Sequence, residues 1–397
     1  MGKGKRVFFF LFFCGLMAVP ACLAWGGGWE TAKEGEGLGL LDFGDETLVP
    51  EAELEEIQQF LDRLNEAGGL SFSALMGDLA KGDLSGAAKK VLDALREGVI
   101  SDMGDSAKFL AQAAALGILG AVFARIGAVF PESRIAETGF FITYLLSFTC
   151  LTASFFTSVE TASSVAGLIL DFMKVLLPAF FLAVALAGGS ISAAAFYSSI
   201  LGAVAGAQVI CGSVIIPFVK AYVLFVLAGN LSREELISKL TSGLESGIRW
   251  LLKTMVGVFL GLQVIQAMIL PFADSVKRAG LQRAVSLIPG IGAGAEAVIQ
   301  VTAGSGVLLK NTVGGAAVAA LVILAAAPMA KLLFFLLLYR GAAAFMEPIC
   351  DRRLTACADG MGKAHGLLLQ TVLTVLLLFA ISIGLVCGAT NAVYFGG

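Results

Sequence analysis

Charge is scarce in this sequence. Asp, Glu, Lys and Arg make up 14% of the residues, against about 25% in ordinary soluble domains. Histidine is scarcer still. The one histidine, His365, rules out metal sites built on several histidines and leaves His-based catalysis without a supporting pattern. Cysteine is present but not in useful spacing. Cys150, Cys211 and Cys387 fall in apolar runs, where a thiol behaves as a small hydrophobe. Cys350 and Cys357 share a loop whose spacing fits no common zinc pattern. A nucleotide phosphate loop is missing as well: Gly306 to Lys310 has the wrong spacing, and Asn311 stands where Ser or Thr is needed. Gly290, Gly292 and Gly294 follow no strand, so a dinucleotide site is not expected. Basic residues form no clustered face, which argues against nucleic acid as a partner. The expectation is a chain with no enzyme site, no cofactor and no metal.

What the sequence has instead is apolar length. Hydrophobic residues make up 58% and mean hydropathy is +0.89. These values point to an all-α, polytopic membrane helix bundle partnered by the lipid bilayer. The acidic residues are unevenly placed. Residues 25–105 hold 18 of the 30 Asp and Glu but only six Lys and Arg. The chain therefore divides into three: a leader at 1–24, an acidic helical extracytoplasmic segment at 25–105 and a transmembrane domain at 106–397.

Lys3, Lys5 and Arg6 precede an apolar run from Val7 to Val19, the pattern of a secretory signal. Cleavage is expected after Ala24; lipoprotein processing at Cys22 and an uncleaved first span are the alternatives. Residues 25–50 are Gly-rich and acidic. Pro50 opens a helix with Leu54, Ile57, Leu61 and Leu64 at 3/4 spacing. Ser85 is a candidate cap for a second helix bearing Val91, Leu92, Leu95 and Val99. That helix either lies on the outer membrane surface or forms half of a hairpin that binds a partner protein.

The expected spans are 109–129, 140–156, 172–186, two crossings within 194–229, 255–272, 313–338 and 367–386. The count is about eight, or seven if 194–229 holds one kinked span or a re-entrant hairpin. Pro178 breaks the third span, and the small-residue turn Gly188-Gly189 follows it near the cytoplasmic face. Two crossings are favoured because they place the basic loops around Arg134, Arg233–Lys253 and Arg340–Lys363 on one side. The stretch 288–338 organises this reading. Pro289, Gly292, Lys310, Asn311 and Gly314 mark a Gly-broken polar loop at the mouth of a span. Irregular backbone near a bilayer is tolerated only where protein or water covers it. The loop is thus a candidate for pathway lining or for assembly, and the alternative is an ordinary loop whose lysine snorkels to the interface.

The run Val307-Leu308-Leu309-Lys310-Asn311-Thr312-Val313-Gly314 resembles the stage III sporulation protein AE family. So do Tyr339-Arg340-Gly341-Ala342-Ala343-Ala344, Pro348, Ile288-Pro289-x-x-Gly292, and Gly188-Gly189 followed by Ser192-Ala193-Ala194. The resemblance covers most of 105–397; in 25–105 it is one of character alone. It implies a role in endospore formation, in the mother-cell membrane around the engulfed forespore. It further implies membership of a channel or secretion-like complex with other stage III A proteins, among them a cytoplasmic ATPase, and with a channel partner in the forespore membrane.

Overall fold

The computed structural model describes residues 51–63, 71–83, 85–93, 134–232, 235–286, 292–347 and 352–395. The proposed leader, Ala24, the expected span 109–129 and Pro289 lie outside the described residues. Within them every regular element is helical. Three short helices come first: α1 (Glu51–Arg63), α2 (Phe72–Ala80) and α3 (85–93). Long ones follow: α4 (Arg134–Leu186), α5 (Ser190–Val209), α6 (Ile216–Ser232), α7 (Glu235–Ser286), α8 (Gly292–Met346) and α9 (Arg352–Phe395). A π-helical segment, Ile210–Ile215, joins α5 to α6 without a break.

Five stretches are long and apolar enough to cross a membrane: Tyr144–Leu186, Ser190–Gly229, Lys239–Ala284, Val301–Ala344 and Thr355–Asn391. Seven spans were expected over the same range. The difference comes from two mergers. Residues 140–156 and 172–186 belong to the single 53-residue helix α4, which runs through Pro178. Residues 194–229 form one rod through the π segment, so the two expected crossings become one interrupted helix. Proline forfeits one backbone hydrogen bond, but in an apolar setting a break would strand several more. The helices accordingly continue through Pro178, Pro271 and Pro328.

Successive helices run antiparallel, and side-chain contacts fix their levels. At one end the Tyr144 hydroxyl donates to the Leu227 carbonyl (2.6 Å) and meets Cys357 Sγ (3.2 Å). At the other end the turn after α4 packs against α7 and α8. The mergers keep the sequence neighbourhoods of Arg134, Arg233–Lys253 and Arg340–Lys363 at one end, called here the basic end. They move the Gly188-Gly189 turn to the far end, opposite to its expected place. Gly188 itself sits at φ 91°, a left-handed conformation open to glycine at little cost.

In lipid, helices gain little from hydrophobic contact with one another, so close approach at small residues does more. At Gly306 an added Cβ would sit 2.5 Å from the Ala187 nitrogen and 2.6 Å from the Leu186 carbonyl carbon. At Gly314 it would lie 2.7 Å from Cys387 Sγ and 3.2 Å from both Ile383 and Phe180. Those two glycines bring α4, α8 and α9 together. Glycine spacing alone does not identify such contacts: Gly206 meets the Phe259 ring, but Gly202, Gly257 and Gly261 have nothing within 4 Å. Helix α7 is peripheral and presents Val258, Ile265, Met268, Ile269 and Phe272 outward.

The short helices pack on the bundle. Ile57 and Leu61 of α1 are buried, and Phe60 lies 6.0 Å from Phe172 of α4 between ring centroids. Leu79 of α2 reaches Gly315 of α8. The apolar residues of α1 and α2 are thus turned onto the chain's own helices, whereas Leu92 of α3 is exposed, and Leu95 and Val99 lie outside the described residues. Ser71 caps α2 by accepting from the Ala74 amide (3.2 Å). Asp83, not the expected Ser85, caps α3: its Oδ1 accepts from the Gly86 amide (2.9 Å) and the Ser85 hydroxyl (3.0 Å). Those bonds hold the Asp83 carboxyl below the usual carboxylate range. The cap is therefore complete above that range and is lost as pH falls through the lowered value.

Gly306→Ala should lower stability by about 1–3 kcal/mol, because the new methyl presses on backbone that cannot rotate away. Gly202→Ala, with open space around it, should be neutral or stabilising by up to about 1 kcal/mol from helix propensity. Thermal unfolding of the two variants in detergent compares them; equal midpoints would remove Gly306 as a point of close approach.

Candidate functional site

Gly292, Lys310, Asn311 and Gly314 do not form a loop. From Gly292 onward they are the first half of α8, a 55-residue helix. Lys310 and Asn311 are therefore neighbours on one helix, with Gly314 one turn on. The misreading has a plain cause. Gly306, Gly314 and Gly315 are poor helix formers in water, but here they are positions where neighbouring helices or the turn approach.

Lys310 does not snorkel. It is fully buried, among the largest side chains with no exposure. Its Nζ donates to Thr390 Oγ1 (2.5 Å) and to the Cys387 carbonyl (3.4 Å), both on α9. Thr390 passes its own proton to the Val386 carbonyl (2.7 Å). Cys387 Sγ in turn points at the Lys310 carbonyl (3.8 Å). One residue on, Asn311 Nδ2 faces Asn391 Oδ1 at 3.5 Å, while Asn311 Oδ1 is buried without a partner. Gly314 lets α9 come close enough for these contacts. The cluster is a polar clasp between α8 and α9 near the far end.

Two other polar nodes were not singled out in the sequence. Asp274 of α7 is buried and accepts from the backbone amides of Ile191 (2.8 Å) and Ser192 (3.0 Å), and from the Ser192 hydroxyl. It caps α5 from another helix, where a negative charge complements the exposed amides and the helix dipole. Lys277, one turn on, donates to Ser190 Oγ (2.7 Å). The sequence signal was partial: Ser190-Ile191-Ser192 opens a helix with no acidic residue of its own in the first turn, which does not name the residue that supplies the cap.

His365 is the second node. It is buried, with Nδ1 2.9 Å from the Met361 carbonyl and Nε2 3.0 Å from Ser158 Oγ. A carbonyl only accepts, so Nδ1 carries the proton and Nε2 accepts from the serine. Tyr339 stacks on the ring at 5.0 Å, and Phe155 and Phe335 each lie 5.6 Å away. This ties α4, α8 and α9 together toward the basic end. Deep in α7, Gln263 is fully buried and both its amide atoms lack a partner.

Among the described residues no group of three His, Cys, Asp or Glu is placed to hold a metal ion. The polar groups join helix to helix, and their chemistry is that of assembly: donors and acceptors matched across packed interfaces.

Comparison with known proteins bears on the same residues. The model of the family described as Stage III sporulation protein AE matches residues 70–390. A curated relative from Bacillus subtilis (strain 168), named Stage III sporulation protein AE, is 23% identical over 344 residues. That alignment covers 85% of this chain and 86% of the relative. No solved structure matches.

Thr390→Val should cost more than Lys310→Met. The first leaves a buried ammonium short of an acceptor, at about 1–3 kcal/mol or more for a charged group; the second removes the polar demand together with the charge. Unfolding midpoints of the two variants and of the double variant measure this. A Lys310→Met loss larger than that of Thr390→Val would show that the lysine has another acceptor.

Proposed function

Because the chain belongs to the stage III sporulation protein AE family, we propose that it is a membrane component of the channel or secretion-like complex that joins mother cell and forespore. In this reading endospore formation and late forespore gene expression depend on it. It acts with other stage III A proteins, a cytoplasmic ATPase and a forespore-membrane partner among them, and carries out no catalysis of its own.

The observation that carries this reading is the division of the bundle into two unlike ends. The basic end collects the sequence around Arg134, Arg233–Lys253 and Arg340–Lys363, and such a bias marks the cytoplasmic side. Helix α2 packs instead on Gly315, toward the other end, and α1 packs on Phe172, nearer the middle of α4. A mother-cell protein that meets an ATPase on one side and an intermembrane partner on the other needs that polarity. Cleavage after Ala24 would leave 25–105, with its 18 acidic residues, on the intermembrane side.

A non-conducting scaffold is the second reading, and the clasp favours it locally. Lys310 is enclosed by protein and bonded to α9, which supports a role in holding the helix pair together. A stand-alone secondary transporter has less support: broken helices would mark its midplane site, whereas α4, α7 and α8 run through their prolines.

Deletion in the source organism tests the reading. Growth should be normal, with arrest after engulfment and a silent late forespore reporter; normal spores would end it. Complementation then separates roles. Lys310→Ala and Asn311→Ala should reduce spore yield in proportion to loss of the chain from the membrane. Full-length protein at normal level with no spores would instead restore the clasp residues to a path.

A further inference from the structure

The outer face of α4 carries charge where the bundle is most apolar. Levels along α4 are set by its contacts with α9, whose apolar core is 367–386. His365 meets Ser158 just below that core, and Cys387 lies beside Gly314 with Phe180 just above it. The stretch of α4 between Ser158 and Phe180 is therefore level with the apolar core. Asp171 lies about 20 Å along the helix from Ser158 and about 14 Å from Phe180. It is near the middle of the layer, as is Lys174.

These residues are not turned inward. Phe172, Met173, Leu176 and Leu177 fill the buried side of the same turns, each with 1% exposure or less. Glu160, Ser163, Ser164, Asp171 and Lys174 are exposed on the other side and recur at helical spacing on one face. Lys174 Nζ donates to Asp171 (2.8 Å) and to Gln208 of α5 (3.3 Å). Lys220 of α6 lies 5.8 Å over the Phe156 ring. Between Gln208 and Lys220 runs the π-helical segment Ile210–Ile215. Single π turns inside α-helices concentrate at functional sites. The two helices bound an open groove of about 800 Å³, lined by Thr157, Glu160, Ser164, Asp171 and Lys220 among others.

Lipid cannot cover this face cheaply. Ionisable groups at the centre of a bilayer cost several kcal/mol even by the mildest scales, about 2.5–3.5 each. Leu201, Leu224, Val258 and Leu262, exposed elsewhere on the long helices, are apolar as lipid requires. The groove is thus polar where those positions are apolar.

We propose that this groove is the water-lined wall of a path across the membrane, taking small hydrated ions or polar solutes once the complex closes it off from lipid. The proposal rests on the channel reading for its biological meaning, but its physical content is separate: the middle of α4 is wet. The Asp171–Lys174 pair and the hydroxyls of Ser163 and Ser164 supply the groups that replace lost hydration, with Glu160 and Lys220 toward the basic end.

Cysteine accessibility in native membranes tests it. The full chain, with its own cysteines replaced, carries Ser164→Cys, Gly167→Cys or Asp171→Cys; Leu224→Cys, Val258→Cys and Leu262→Cys serve as lipid-facing controls. The probe is the membrane-impermeant anion 2-sulfonatoethyl methanethiosulfonate. Groove positions should react at least ten-fold faster than the controls. Reaction as slow as the controls would overturn the proposal. So would efficient copy-to-copy disulfide formation at Gly167→Cys, which would assign the face to a second copy of the chain. Asp171→Cys breaks the ion pair and can lower folding; Gly167 has open space around it, so Gly167→Cys carries the test alone if needed. A dry groove in a chain whose deletion still blocks sporulation would sink the path and leave the channel-complex reading standing. A wet groove with normal spores would do the reverse.

Discussion

Inside an apolar layer there is no water to satisfy a backbone amide, so each segment that enters must close its own hydrogen bonds. The long helices of this chain follow from that constraint. Helix α4 has 53 residues, α7 has 52 and α8 has 55. At 1.5 Å per residue these are rods of about 80 Å, far longer than the 30 Å core of a bilayer. Each therefore projects beyond the layer, and the bundle has built ends as well as a membrane belt.

The constraint also decides where polar side chains go. Backbone demand is met within the helices, so side-chain polarity is left for joining one rod to another. Lys310 finds Thr390 and the Cys387 carbonyl; Asp274 finds the amides of Ile191 and Ser192; His365 bridges Met361 and Ser158. Such contacts add specificity to helix pairs that lipid alone would let slide. Small residues do the complementary work. Gly306 admits the backbone of the α4–α5 turn, and Gly314 admits Cys387 and Phe180. A clasp of this kind fixes the relative height of α8 and α9, and with it the level of every group on their neighbours.

Much of the fold was legible because apolar length is a strong signal. The all-helical class, the buried stripe Ile57 and Leu61 in α1, the Gly188-Gly189 turn and the grouping of basic segments all stand in the structure. What was not legible has one physical root. Glycine and proline punctuate helices in water, where a broken hydrogen bond is replaced by solvent. Pro178, the stretch 194–229 and the Gly-rich run to Gly315 were therefore read as breaks. In an apolar layer the solvent replacement is absent, so the helix continues and the punctuation becomes contact. Lys310 followed the same rule. Sequence put it in a loop free to reach water; continuation of α8 carried it into the protein instead. Asp274 was missed because a cap delivered from another helix has no local spacing to read.

The two sets of membrane-embedded polar groups then separate by what surrounds them. Around Lys310 the acceptors are counted and close, exposure is nil, and no cavity is needed to account for the charge. Around Asp171 and Lys174 the ion pair is half in the open, beside a groove that the described residues do not fill. An exposed ion pair of this kind contributes little to stability in water, about 0–1 kcal/mol, and holding it in lipid costs more than that. Stability is therefore not the reason for its position. The clasp explains itself as structure; the groove does not, and its outer boundary has to be supplied by water or by another chain.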